Sequence, residues 1–398
     1  MLVKRAYKFR LYPNAEQEQA LARQCGASRF VYNHFLRARI EYYLANKDGT
    51  KQGLTYHDTA LMLTKLKQQP GYEWLKEANA QALQQSLRDL DSAYRTFFDH
   101  RARFPRFKRK HERQSFRVPQ DFRVQHSRLV IPKLSPIKMV IHRPIAGTMK
   151  QVTVSRTKTG QYYAAILCEV ELPEPAYQGG EIGVDLGLQS FLVTSEGETV
   201  ASPQYLRTAE RRVKRLQRRV SRRKQGSKGR EQARRQVARQ HEKVANQRND
   251  FLHKLSRRLV DENQAIYAES LNVKGMLANH TLAQSISDSG WGEFVRQLTY
   301  KGAWYGCQLV HIDRFVPSSK RCAACGFINQ DLRLSDREWA CPACGLIHDR
   351  DHNAAVNILL VGRATAGAAE SYAGGEDVRR FSEVPPHRSR KLPVSNGE

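Results

Sequence analysis

Two short stretches, Cys322-Ala-Ala-Cys325 and Cys341-Pro-Ala-Cys344, constrain this chain more than any other feature, with fifteen residues between them. Paired CxxC motifs at this spacing match a zinc ribbon, in which each knuckle offers two sulfurs to one tetrahedral ion and the intervening hairpin brings the knuckles together. Gly326 and Gly345 follow the second cysteine of each pair, where a knuckle needs permissive backbone. Four thiolates leave no open position for water, so Cys322, Cys325, Cys341 and Cys344 point to one structural Zn²⁺. A pair of redox motifs is the competing reading, but nothing thioredoxin-like surrounds them. The other three of the seven cysteines, Cys25, Cys168 and Cys307, stand alone and read as small buried thiols.

Charge is the strongest global signal. The 398 residues carry 66 Lys or Arg against 39 Asp or Glu, a formal net charge of +27, which calls for a polyanionic partner, nucleic acid first. The excess is local: Arg211 to Gln240 holds fourteen basic residues and one acid. Such clustering suits a phosphate-binding face better than diffuse solubility. No run of about 18 apolar residues exists, so no membrane segment is expected. The start, "MLVKRAYKFRLYP", lacks the apolar stretch of a secretory signal, and a cytoplasmic protein is the default.

Against this background the isolated acids stand out. Asp185 lies in "IGVDLGL", within an apolar strand ending at Gly187, and Glu269 ends the apolar strand of "AIYAESL". An acid among buried positions is costly unless it is paired or binds a cation, although singly each is more often a turn or cap residue. Asp351, in "LIHDRDHNAAVNILL", shares one helical face with Ala355, Ile358 and Leu359, so it points toward whatever that face packs on. Asp349 precedes the helix, has no such obligatory direction, and reads as its cap or as a solvated acid. Two strand-end carboxylates and one on an adjacent helix suit two Mg²⁺ or Mn²⁺ ions for phosphodiester cleavage.

Periodicity orders the rest. Residues 1–12 alternate as a strand closed by "YPN". Helical pattern runs from Asn14 to about Arg103, broken only near "KDGTKQG" and "QQPGYEW", with Leu83, Leu87, Leu90, Ala93 and Tyr94 on one face. "RFPRFKRKHERQSFRV" interleaves Phe104, Phe107 and Phe116 with Arg103, Arg106, Lys108, Arg109 and Lys110, a composition for base stacking and phosphate neutralisation, or equally a strand with core phenylalanines. Val152, Val154, Tyr162, Ala164 and Ile166 alternate about "KTG" as a hairpin. These segments with the first strand make a β-barrel split by a helical insert. Then come a linker "LPEPAYQGGE", a strand–bend–strand–turn–strand unit, an antiparallel basic helix pair over 205–260 interrupted at "KQGSKG", and further strands and helices. The stretch after Gly362 reads as a disordered tail.

The segments "GVDLGLQSF", "YAESLNVKGM", "PSSKRCAACG" and "HDRDHNAAVNIL", with "KFRLYPNAEQ", "ASRFVYNHFL" and "FPRFKRK", together resemble the TnpB family of insertion-sequence, RNA-guided nucleases, over roughly residues 1 to 360. The resemblance implies an RNase H-like (RuvC) nuclease domain with an inserted zinc ribbon, behind a wedge barrel and a recognition bundle. Its catalytic Asp, Glu and Asp fall on Asp185, Glu269 and Asp351. The implied boundaries are 1–13 and 105–177 for the wedge, 14–104 for recognition, 178–317 and 347–362 for the nuclease, 318–346 for the ribbon and 363–398 for the tail. The implied partners are a transposon-derived guide RNA and double-stranded target DNA carrying a short adjacent motif. Tyr56 and Gln84 fall where that motif would be read. Arg103, Arg106, Lys108 and Arg109, with Arg215, Arg219 and Arg222 of the basic helices, would hold phosphates. A non-catalytic zinc-ribbon regulator and an unguided resolvase-type nuclease are the other readings of the same residues.

Overall fold

The computed structural model describes residues 1–46, 53–173, 179–333 and 335–373, which divide into two compact units. The first contains residues 1–176, 204–254 and 304–306; the second contains the remainder.

The first unit begins with strand β1 (Leu2–Tyr12), whose alternation buries Val3, Tyr7, Phe9 and Leu11. Asn14 then starts helix α1 (Ala15–Ala45): its side chain accepts from the Gln17 N–H while Gln17 Oε1 accepts from the Asn14 N–H, a reciprocal cap. Helices α2 (Tyr56–Leu66) and α3 (Ala80–Phe98) complete a bundle around Phe35, Leu36, Leu63, Leu83, Leu87 and Leu90. The "QQPGYEW" break is a 3₁₀ turn over Glu73–Lys76, and "KDGTKQG" lies largely outside the described residues. Six strands follow: β2 (Gln114–Val118), β3 (Arg123–Gln125), β4 (Arg128–Ile131), β5 (Leu134–Val140), β6 (Thr148–Arg156) and β7 (Tyr162–Glu171).

With β1 they form one antiparallel sheet in the order β2-β6-β7-β1-β5-β4-β3. The hairpin residues Val152, Val154, Tyr162, Ala164 and Ile166 are all buried in it. The expected barrel is therefore a half-barrel: β2 and β3 are edges and do not pair with each other. Alternation reveals the buried face of a strand but not whether the last strand closes on the first. Helices α4 (Tyr205–Ser221) and α5 (Lys228–Glu262) are the expected basic pair. Through residue 254 they belong to this first unit, not to the nuclease segment assigned from the sequence. An amphipathic pattern shows that Val213, Leu216, Ala233 and Val244 are buried without saying against what.

The second unit is built on a five-stranded sheet: β8 (Gly180–Asp185), β9 (Ser190–Thr194), β10 (Thr199–Ala201), β11 (Asn263–Glu269) and β12 (Gln308–Ile312). The order is β10-β9-β8-β11-β12, with β8, β11 and β12 parallel and β9 and β10 antiparallel to their neighbours. Two short helices, α6 (Val273–Met276) and α7 (Ala283–Ser289), precede α8 (Trp291–Tyr305), whose Phe294 meets Phe191 of β9 edge-on at 5.1 Å. A two-stranded ribbon, β13 (Glu338–Ala340) and β14 (Ile347–Asp349), leads directly into the last helix, α9 (Arg350–Ala373).

Helix α9 lies on one face of this sheet, and Gly183 is what lets it approach. A Cβ at Gly183 would stand 2.2 Å from the Ala355 carbonyl oxygen and 2.8 Å from the Leu359 nitrogen. Gly362 meets the Tyr267 ring in the same way, at 2.1 Å. The helix continues eleven residues past Gly362, where the sequence suggested a tail, because "RATAGAAESYA" is rich in helix-forming alanine. Residues 374–398 lie outside the described residues. Among the described residues no helix is long and apolar enough to cross a membrane.

Candidate functional site

Strand parity brings the acids together. Gly183 and Tyr267 both face α9, and side chains two apart on a strand share a face. Asp185 and Glu269 are each two residues further on, so both face α9, at the C-terminal ends of neighbouring parallel strands. Asp185 is the last residue of β8; the strand stops there rather than at Gly187 as expected. Asp351 is one helical turn before Ala355, the residue that touches Gly183.

The electrostatics agree with this placement. Burial, then the charges of Glu269 and Asp351, push the Asp185 carboxyl up to about 7, against the opposing pull of Arg350 and the Leu186 N–H. A half-buried Asp185 pressed by two neighbouring carboxylates is what a divalent cation would relieve. Glu269 accepts a hydrogen bond from the Ser318 hydroxyl, and Asp351 faces Arg337 at 3.7 Å. Asp349 caps α9 as expected, its Oδ1 accepting the His352 N–H at 2.8 Å.

The four cysteines converge more tightly. All four Sγ atoms lie within 4.8 Å of one another, with Cys322–Cys344 at 3.7 Å and Cys325–Cys341 at 3.6 Å. A tetrahedron of sulfurs at about 2.3 Å from zinc has edges of about 3.8 Å, so this set could bind Zn²⁺ with little rearrangement. The knuckles are matched. Cys322 N–H donates to Phe327 O and Cys341 N–H to Leu346 O, both at 2.8 Å. Gly326 and Gly345 take φ of 79° and 76°, the left-handed conformation their positions anticipated.

Three residues that sequence reasoning passed over tie these sites together. His348 Nε2 shares a 3.0 Å hydrogen bond with Cys322 Sγ and packs its ring on Trp339 at 5.0 Å. Asn353 accepts the Ala323 N–H at 3.0 Å and donates to Arg321 O at 2.7 Å. Asn357, one turn on, donates to Ser318 O at 2.8 Å and to Arg321 O at 2.6 Å. Both asparagines are fully buried, and they clamp the first knuckle to the helix that carries Asp351. The signal available in the sequence was two asparagines four apart on an otherwise apolar helical face.

The basic candidates divide. Arg103, Arg106 and Arg109, and Arg215, Arg219 and Arg222, are exposed. Phe104 and Phe107 are 44% and 45% exposed, while Phe116 is core. Lys108 is exposed too but is tethered: its ammonium sits 3.7 Å from the centre of the Tyr32 ring, and its backbone is bonded on both sides to Asn33. Desolvation lowers its pKa, so it braces the segment rather than reaching out. Gln84 is exposed, whereas Tyr56 is half-buried in the bundle core beneath the Arg88 guanidinium, 5.3 Å from its ring centre.

Comparison with known proteins assigns the family. A protein described as "Putative RNA-guided DNA endonuclease" from Streptomyces pristinaespiralis is 40% identical over 374 residues, covering 92% of each chain. The chain belongs to the TnpB family. A second member, "Putative RNA-guided DNA endonuclease InsQ" of Escherichia coli, is 33% identical over 393 residues, covering 94% of this chain and 96% of its own. Family profiles described as "Probable transposase" and "Cas12f1-like, TNB domain" match residues 165–280 and 291–358 of this TnpB-family chain. A profile described as "Helix-turn-helix domain" matches residues 1–48, where the structure has strand β1 and one continuous helix α1. A solved structure, "Cryo-EM structure of the Cas12f1-sgRNA-target DNA complex", shares the fold with a TM-score of 0.55 at 12% identity, over 90% of this chain and 98% of that one.

Proposed function

We propose that this protein is an RNA-guided, divalent-metal-dependent DNA endonuclease whose cutting site is formed by Asp185, Glu269 and Asp351. The observation that carries the reading is the shared α9-facing parity of Asp185 and Glu269 at adjacent strand ends, together with the charges of Glu269 and Asp351 acting on Asp185. The sheet order, with its three parallel strands and an antiparallel pair at one edge, supports an RNase H-like (RuvC) core. Three carboxylates of this kind would suit two divalent ions.

Divalent cations bound there would supply Lewis acidity toward a phosphodiester and lower the pKa of the attacking water. The protein's own residues hold that site open and charged. Ser318 orients Glu269, Arg337 steadies Asp351 from the ribbon, and the Asp349 cap fixes the first turn of α9. The zinc ribbon serves as structure, gripped by Asn353. Base pairing to a guide would supply sequence choice, while Arg103, Arg106, Arg109, Arg215, Arg219 and Arg222 hold phosphates without reading sequence. Gln84, with Tyr56 and Arg88 beside it, is assigned to the target-adjacent motif.

The test is to express the protein with its flanking DNA, purify it at high salt and sequence any retained RNA. A duplex matched to that RNA is then offered with Mg²⁺. Cutting by the wild type and none by Asp185→Ala supports the proposal. Protein without RNA, or a matched duplex left intact, refutes it.

A further inference from the structure

The loop after β12 stands on two feet, and both are fixed to the end of β11. At one foot Ile312 O accepts the Ser270 N–H at 3.1 Å; at the other the Ser318 hydroxyl donates to Glu269 itself. Between them the backbone is preset. Asp313 Oδ1 accepts the Phe315 N–H at 2.8 Å, Asp313 O accepts the Val316 N–H at 3.2 Å, and Ser318 N–H returns to Val316 O at 2.8 Å. Val316 packs into the core formed by Tyr267, Ile312 and Ile358, and Ser318 is buried. The loop is therefore an ordered part of the acid site.

Its tip does the opposite of its feet. Phe315 is 78% exposed, the most exposed large hydrophobic side chain among the described residues. A single exposed aromatic is ordinary on a protein surface. This one is held on a rigid turn three residues from each foot, so its Cα lies within about 10 Å of the chain flanking Glu269. The Arg314 guanidinium sits 4.8 Å from its ring centre, and Arg314 is itself exposed. An aromatic face paired with a cation on a loop anchored to Glu269 matches the composition of sites that hold single-stranded nucleic acid.

We propose that Arg314 and Phe315 form a stacking subsite for an unpaired DNA base beside the scissile phosphate. The Phe315 ring takes the base, and Arg314 neutralises a neighbouring phosphate. The inference rests on the nuclease reading of the acids for the word scissile, but stacking can be measured without cutting. The occupant is the DNA strand rather than RNA, because the loop is anchored to the acids that would cut DNA.

Full-length protein carrying Asp185→Ala, which should not cut, is mixed with oligothymidylate bearing one 5-iododeoxyuridine at successive positions, irradiated and peptide-mapped. A cross-link at Phe315, absent in Phe315→Ala, is the expected result. In the otherwise wild-type protein, kcat/KM for DNA cleavage should fall about tenfold or more in Phe315→Ala and recover in Phe315→Trp. Zinc content and melting should be unchanged in both. Cross-links that map elsewhere, or equal cross-linking by a 5-iodouridine oligoribonucleotide, overturn the subsite, as does undiminished cleavage by Phe315→Ala. If the wild type cuts nothing, the nuclease reading falls, while the cross-link still decides whether Phe315 stacks on DNA.

Discussion

Asn357 Nδ2 reaches from α9 to the Arg321 carbonyl at 2.6 Å and the Ser318 carbonyl at 2.8 Å, so one buried amide binds the knuckle that starts at Cys322 and the residue that orients Glu269. Replacing it with Leu keeps the volume but strands the Ser318 carbonyl oxygen, while the Arg321 carbonyl keeps its bond from Asn353. Leaving a buried acceptor unpaired costs about 1–3 kcal/mol. Asn357→Leu should lower the thermal midpoint of the protein and weaken its hold on zinc against a chelator. A melting curve indistinguishable from wild type would mean the clamp is not needed.

The acid set gives a pH signature. Asp185 titrates higher in the folded chain than its ordinary 3.8, at about 7, so the unfolded chain sheds this proton first as pH rises. In divalent-free buffer the folded state therefore loses stability from about pH 4 up to about pH 7, by a few kcal/mol at most. Asp185→Asn should flatten that decline, and saturating Mg²⁺ should oppose it in the wild type alone. Melting temperatures against pH, with and without the cation, measure this directly.

Gly183 should tolerate no side chain. A methyl group there meets the backbone of α9, which cannot step aside without carrying Asp351 away from Asp185. Overpacking of this kind costs about 1–3 kcal/mol. Gly183→Ala should be less stable and cleave DNA poorly, whereas Gly292→Ala, which would meet nothing within 4 Å, should behave as wild type. Paired denaturation and cleavage assays separate the two.

One zinc per chain is the expectation from metal analysis, falling sharply in Cys322→Ser. Cys322 is fully buried and also bonds His348, so its loss removes a ligand and a packing contact together. His348→Phe should keep the zinc but speed its release, since the sulfur loses its hydrogen-bond partner.

What the sequence revealed were features set by neighbours along the chain. The alternation of Val152, Val154 and Ile166 gave the hairpin, the CxxC spacing gave the four-cysteine cluster, and Asp349 could be assigned as a cap from its place before a helix. Asp185, Glu269 and Asp351 stood out because acids are rare in apolar runs. Features that depend on distant partners were hidden. Asn353 and Asn357 look like ordinary polar helix positions until a knuckle thirty residues away comes to rest on them. Lys108 reads as one more surface cation, yet Tyr32 holds it. Gly183 reads as a flexible residue, although its role is to admit Ala355.

The matching knuckles also differ within themselves. In each pair the first cysteine, Cys322 or Cys341, is buried, and the second, Cys325 or Cys344, is exposed. Two of the four sulfurs are thus open to water. With an ion bound, chelators and oxidants would meet Cys325 and Cys344 before the buried Cys322 and Cys341. Exchange of such an ion would then start at the surface sulfurs, with the buried pair and the asparagine clamp last to let go.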